Sequence, residues 1–395
     1  MSKYKSMYNK RNIFEGGKSS EKIYKGIRRT KRAVKDYMAP MEGITNHVYR
    51  SAYHRYYHPM DKYFTPFLSA KPDKKLSFKE ICEVSPETNE GLCVVPQILA
   101  NDADDFINTA RILRDKYGHR EINLNLGCPS GTVTAKGKGS GFLAFPLKLD
   151  RFLERIYEGL PDMEISIKTR VGFDEEEEWD ALFSIYEKYP VKELIIHPRI
   201  RQDFYKNQPR LQAYQKAYEK RTLPLCYNGD LFTKEEYVRI SGQFPDTECF
   251  MYGRGLITDP GLVSQIREGS HPGKERLSAF HEEVYIRYQK LLSGEKNVLF
   301  RMKELWSYMG LSFTNYEKYL KKIRKAQHFK EYQAAVSSLF AEQELIFGSK
   351  DDTSGENAAG ENTSGENTSG ENTSGENTSG KNTSGENIPG ENTWN

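Results

Sequence analysis

Cysteine is scarce in this 395-residue chain: Cys82, Cys93, Cys128, Cys226 and Cys249 are its five, none within four positions of another. That spacing is neither a disulfide framework nor a zinc pattern, so no metal is expected. Long apolar runs are missing too. The longest are strand-sized, far short of the ~20 residues a membrane span needs. The Lys-rich N-terminus lacks the apolar core of a signal peptide. These absences predict a protein of the reducing cytoplasm that makes no membrane contact.

The hydrophobic fraction of 37% understates the folded part. Residues 351–395 repeat a Gly-Glu-Asn-Thr-Ser unit with no core-forming residue before Ile388 and Trp394. Such a segment cannot bury enough apolar surface to offset its ordering entropy, so 348–395 is expected to be a disordered tail. Its Asn-Thr-Ser triplets match a glycosylation sequon, which means little without a secretory signal. The tail holds nine acids against Lys381, a net of −8 in a chain of net +3, which leaves +11 on residues 1–350. Much of this lies in an N-terminal arm, residues 1–35. Twelve Lys and Arg within residues 1–36 face Glu15, Glu21 and Asp36. Such an arm is either a solvated terminus or an aid to binding a polyanion.

From about residue 37 to 268, short apolar runs alternate with longer amphipathic stretches. The strand candidates are 37–41, 63–68, 92–98, 121–126, 164–169, 193–197, 223–227 and 248–252. Helix-like segments lie between most of them, at 102–117, 148–159, 175–189 and 233–244. Asp102 and Thr233 read as N-caps and Gly118 as a helix stop. Only 72–91 shows no clean helix. Eight strands separated by helices predict an α/β fold, a parallel TIM (β/α)8 barrel over 36–273. Residues 274–347 read as a helical bundle in which Lys and Arg interleave with aromatics, for example Tyr285, Arg287, Tyr288, Arg301, Trp306, Lys321 and Arg324. Most such charges are an ordinary solvated face, yet their excess over acids makes one basic face a candidate nucleic-acid surface.

Chemistry in such barrels sits at the C-terminal strand ends. Unusual polar residues collect there: Pro40-Met41-Glu42, Gln97, Asn125 with Cys128, Lys168, His197, Asn228-Gly229-Asp230 and Gly253-Arg254. A cysteine inside an element is usually a small hydrophobe. Cys128 instead follows Asn125-Leu126-Gly127 at a strand exit and opens a Gly- and Lys-rich loop with Lys136 and Lys138. Gly229 and Gly253 let backbone approach an anion closely, and Arg254 can grip phosphate bidentately. A lysine at a barrel mouth needs an anion to offset its desolvation. The electron-rich pyrimidine edge of a reduced flavin is one, and Gln97 has both a donor and an acceptor for that edge.

Met38-Ala-Pro-Met-Glu-Gly-Ile-Thr45, Asn125-Leu-Gly-Cys-Pro129, Ile167-Lys-Thr-Arg170, His197-Pro-Arg199, Asn228-Gly-Asp230 and Gly253-Arg254 together resemble tRNA-dihydrouridine synthases in order and spacing. The resemblance covers residues 36–268 and, more loosely, continues to about 346. It implies FMN, NADPH (or NADH) as reductant, and reduction of a tRNA uridine to 5,6-dihydrouridine; the protein is expected to be a monomer. By the same match Cys128 is the proton donor and the helical part grips tRNA. Pro40, Met41, Glu42, Gln97, Lys168, His197, Asn228, Gly229, Asp230, Gly253 and Arg254 are the residues expected to bind FMN. Asn125, Arg199, Arg201, Lys136 and Lys138 are expected at the substrate, with Tyr205 a further candidate to hold the base. Pro198 stands where many members have Gly, and the repeat tail is foreign to the pattern. The alternatives are an FMN barrel reducing a free pyrimidine or other enone, and a binding module that has lost its chemistry. The +11 body argues against the first, and intact Cys128, Lys168 and His197 against the second.

Overall fold

The computed structural model describes residues 33–73 and 75–346. The repeat tail, and all but the last three residues of the expected basic arm, lie outside the described residues. Ten parallel strand segments form the sheet: β1 (Lys35–Met38), β2 (Lys62–Phe64), β3 (Leu68–Ser69), β4 (Val94–Val95), β5 (Gln97–Leu99), β6 (Glu121–Leu126), β7 (Glu164–Gly172), β8 (Leu194–Ile200), β9 (Leu225–Tyr227) and β10 (Cys249–Tyr252). Segments β4 and β5 are one strand interrupted at Pro96, which has no N–H to give the ladder. β2 pairs with β4 and β3 with β5, so the second and third staves run side by side in two pieces. With β5 on β6 and β1 on both β10 and β2, the ring closes as an eight-stave barrel.

Parallel strands covered on both faces should read as continuous apolar runs. They do: every residue of β8 is buried, as is every residue of β6 after Glu121. The register aligns Gln97 with Asn123, Asn125 with Lys168, and Arg170 with His197, which brings the polar strand ends to one mouth. Outer helices start where the sequence signals them. The Asp102 side chain accepts the Asp105 N–H at 3.0 Å, Thr233 and Glu236 form a capping box, and Gly118 ends its helix at φ +75°. The segment 72–91, which shows no helical period in sequence, does hold a helix, Phe78–Val84. It was hidden because it is only seven residues long and exposes Phe78, so it carries no apolar stripe. Its capping box, Ser77 with Glu80, and the buried Arg50 hold it instead; Arg50 donates to the Glu83 carboxylate at 2.7 Å and to Asn89 Oδ1 at 2.7 Å.

Four helices follow: Gly273–Leu291, Glu295–Met309, Glu317–Lys325 and Phe329–Glu342. They pack on the barrel through aromatics, with Phe280 edge-on to both Tyr49 and Tyr57 at 5.3 Å. Asn46 adds a 2.8 Å hydrogen bond to the Tyr288 hydroxyl. Inside, the Tyr332 hydroxyl accepts from Trp306 Nε1 at 2.8 Å and sits 2.7 Å from His281 Nε2. Burial pushes that histidine down to about 3, so it is a neutral core residue. Helix Glu317–Lys325 buries Tyr319, Leu320 and Ile323 and leaves Lys321, Lys322, Arg324 and Lys325 exposed on its other side. Among the described residues no helix is long and apolar enough to cross a membrane.

Candidate active site

The thiol at the end of β6 is held by its own backbone. Asn125 turns its side chain back so that Oδ1 accepts the N–H groups of Gly127 and Cys128, both at 3.0 Å. On the other side, the Cys128 carbonyl accepts from Ser140 N at 3.1 Å and from Ser140 Oγ at 2.9 Å. The loop can return this closely only at glycine. Gly139 has φ +56°, and a Cβ there would lie 2.8 Å from the Cys128 carbonyl oxygen. Cys128 itself is half-buried. Burial raises its pKa above the ordinary thiol value, against opposing pulls from the Ser130 N–H and Arg170, so the group rests as a neutral thiol.

Asn125 Nδ2 donates to Gln97 Oε1 at 2.8 Å, Gln97 Nε2 to Asn123 Oδ1 at 2.7 Å, and Asn123 Nδ2 to Ser166 Oγ at 3.0 Å. Gln97 and Asn125, expected to face a flavin edge and a uracil edge, are thus first a buried chain that fixes the Cys128 turn. Each amide keeps one N–H without a partner among the described residues.

Across the mouth the groups are cationic. The Lys168 ammonium makes no hydrogen bond among the described residues; burial, with Arg170 beside it, pulls its pKa down to about 8. Arg170 is 1% exposed and donates to three carbonyls, Gly127 at 2.9 Å, Ile200 at 2.8 Å and Phe204 at 2.9 Å. His197 is held well below the ordinary imidazole range by burial and by Arg170, Lys168, Arg199 and Arg254. Its Nε2 lies 2.9 Å from Arg199 Nη1, which only donates, so Nε2 accepts and the proton sits on Nδ1. Arg199 also pairs with both oxygens of Asp230 and donates to the Asn207 carbonyl at 2.7 Å. Arg254 shares that carboxylate, at 2.6 Å, and lies over the Tyr205 ring at 4.3 Å. Tyr205 in turn stacks on His197 at 6.0 Å.

One cavity is lined by Pro40, Met41, Lys168, His197, Asn228, Gly229, Asp230, Gly253 and Arg254, together with Tyr205 and Phe232. Two residues expected with them do not line this cavity. Glu42 is exposed, pairs with Lys79 at 3.0 Å, and lines a neighbouring cleft with Phe67, Lys71 and Lys75; Gln97 lies in the amide chain below. Arg199, expected at the substrate, is 1% exposed and its partners among the described residues are Asp230, His197 and the Asn207 carbonyl. Arg201 is partly exposed, over Phe173 at 4.2 Å and 3.2 Å from Asp174. Lys136 is exposed, whereas Lys138 donates to the Ala70 carbonyl at 3.2 Å and ties the thiol loop to β3. Sequence reasoning left two residues without a part in the site, Ser140 and Phe232. Arg170, quoted only as part of a motif, had one signal available, an arginine continuing an apolar strand.

An unpartnered ammonium, a neutral imidazole with a donor at Nδ1 and an arginine at a glycine turn are what an anionic cofactor with a polar ring edge requires. Gly253 caps a helix of only five residues, too short for a helix-end charge, which leaves Arg254 as the cation at that turn.

The family model "Dihydrouridine synthase (Dus)" matches residues 37–350. "Probable tRNA-dihydrouridine synthase 1" of Synechocystis sp. is 26% identical over 274 residues, 69% of this chain and 72% of that protein. "tRNA-dihydrouridine(16) synthase" of Shewanella oneidensis is 24% identical over 298 residues, 73% of this chain and 92% of that protein. Among solved structures, the old yellow enzyme homologue from Zymomonas mobilis (NCR) has a TM-score of 0.43 at 11% identity, covering 60% of this chain and 88% of that one. The match spans the barrel, the thiol loop and the four helices alike, and the chain belongs to the dihydrouridine synthase family.

Proposed function

We propose that this protein reduces the 5,6-double bond of uridines in tRNA, using FMN recharged by NADPH or NADH. The observation that carries this reading is the neutral thiol of Cys128, clamped at a barrel mouth that holds an unpartnered lysine ammonium. When bound, the flavin supplies the hydride that adds to C6 of the uracil. Cys128 gives its S–H proton to C5, where the π pair of the former double bond ends; the thiolate then regains a proton from solvent. Lys168 and the spare Gln97 N–H hold the flavin's pyrimidine edge, Arg254 and the Gly229 and Gly253 turns its phosphate, and His197 Nδ1–H donates between them. Asn125 offers its remaining N–H to the uracil. The base must leave its stack to reach this mouth, at a cost of a few kcal/mol. Arg201, Tyr205, Lys136 and Lys138, on the surrounding segments, are the groups proposed to hold the flanking RNA. The work is that of a monomer in the cytoplasm, organised as a catalytic barrel, 36–273, with a tRNA-gripping helical part, 274–347.

The test is to map dihydrouridines in tRNA from cells lacking this protein, and again after its restoration. Sites that vanish and return are expected; an unchanged map overturns the reading. Purified protein should also be yellow. A preparation that stays colourless after FMN is added would reject the flavin.

The exposed Lys321, Lys322, Arg324 and Lys325 give the helical part its RNA face. Replacing all four by Ala should lower tRNA affinity and reduce the slope of log K against log salt by about 2.8 to 3.6, the value for four lost phosphate contacts. An unchanged slope, read by filter binding across a salt series, would move tRNA docking off this helix.

A further inference from the structure

The Cys128 carbonyl has two lone pairs, and Ser140 fills both, one from its backbone N–H at 3.1 Å and one from its hydroxyl at 2.9 Å. Ser140 is fully buried, and its hydroxyl has no other hydrogen bond among the described residues. For satisfying the carbonyl the hydroxyl is redundant, because the N–H alone meets that need. What two donors add is direction: they fix the plane of the Cys128–Pro129 peptide, as Asn125 fixes the preceding one through the Gly127 and Cys128 N–H groups. With both flanking peptides fixed, the Cα–Cβ bond of Cys128 has one direction. The chain segment carrying Ser140 is itself secured. Gly139 lies against Cys128 at a φ that disfavours other residues, a Cβ on Gly141 would be 2.7 Å from the Thr134 backbone, and Asn101 Nδ2 holds the Lys136 carbonyl at 2.8 Å.

We propose that Ser140 is a positioning residue for the reaction, its hydroxyl aiming the Cys128 thiol at the substrate carbon. This rests on Cys128 being the proton donor. Proton transfer needs near-hydrogen-bond geometry, and a displacement of 1 Å costs ~100-fold in rate. The smaller freedom gained on removing one of two donors should cost about tenfold.

The experiment uses full-length Ser140→Ala with two readouts. In steady-state reduction of tRNA, kcat should fall about tenfold with KM for tRNA unchanged. In alkylation by iodoacetamide followed by mass spectrometry, Cys128 should react several-fold faster than in the parent protein, relative to the exposed Cys93. Wild-type values for both would overturn the proposal. So would reactivity appearing at the buried Cys82, Cys226 and Cys249 with a lowered melting temperature, which is the mark of a merely structural role. Faster alkylation at Cys128 in a protein whose Cys128→Ala variant still reduces tRNA would leave Ser140 as the residue that aims the thiol and remove the proton-donor reading instead.

Discussion

Cys128→Ala is expected to lose between 100- and 10,000-fold in dihydrouridine formation, the range that a positioned general acid contributes, while still binding FMN and oxidising NADPH. The separation follows from the site's geometry. The thiol stands at the exit of β6, on a loop held by Asn125 and Ser140, whereas the cavity lined by Lys168, His197, Asn228 and Arg254 does not include it. The pH dependence has a defined sign. The working form is the protonated thiol, and burial raises its pKa above the ordinary value. Single-turnover reduction of tRNA should therefore hold through neutral pH and fall as pH rises through that raised pKa. Rates that climb toward high pH would identify a thiolate nucleophile, a different chemistry. Normal tRNA reduction by the alanine variant would end the assignment outright.

Asp230→Ala should be the most destabilising single change at the mouth. The carboxylate answers two guanidiniums, and Arg199 is 1% exposed. Removing one partner of a buried pair costs roughly 3–5 kcal/mol, because the remaining charge is left uncompensated. Asp230 has a side chain 21% exposed, which places the expected loss at the lower end, about 3 kcal/mol. The same change releases Arg254 from its 2.6 Å contact, so FMN should bind more weakly as well. Asp230→Asn, which keeps the shape and one acceptor, should lose less of both. Urea denaturation with a parallel flavin titration measures the two effects. An Asp230→Ala protein with the parent's midpoint and flavin affinity would show that Arg199 needs no counter-charge.

The barrel was legible because buried parallel strands write themselves as apolar runs, and seven of the eight runs led to a polar group that a core has no use for. Lys168 and His197 were readable for that reason. What could not be read was pairing across distance. Arg199 and Asp230 are 31 positions apart, and nothing in either local stretch says that one would absorb the other. His197-Pro198-Arg199 therefore looked like two ligand-facing groups, where the structure has one neutral imidazole and one buried tether. The Phe78–Val84 helix escaped for the converse reason. Its stability comes from a capping box and from Arg50, 33 positions from Glu83, rather than from a periodic apolar face.

Arg170 has a consequence for anyone who would exchange parts between relatives. One guanidinium holds the Gly127 carbonyl next to the thiol and the Ile200 and Phe204 carbonyls at either end of the Tyr205 turn. The two loops are thus a single inheritable unit. A graft that imports the thiol loop alone leaves the Arg170 donor to Gly127 to find its acceptor in foreign backbone, whereas the thiol loop, Arg170 and the 200–205 turn moved together carry their alignment with them.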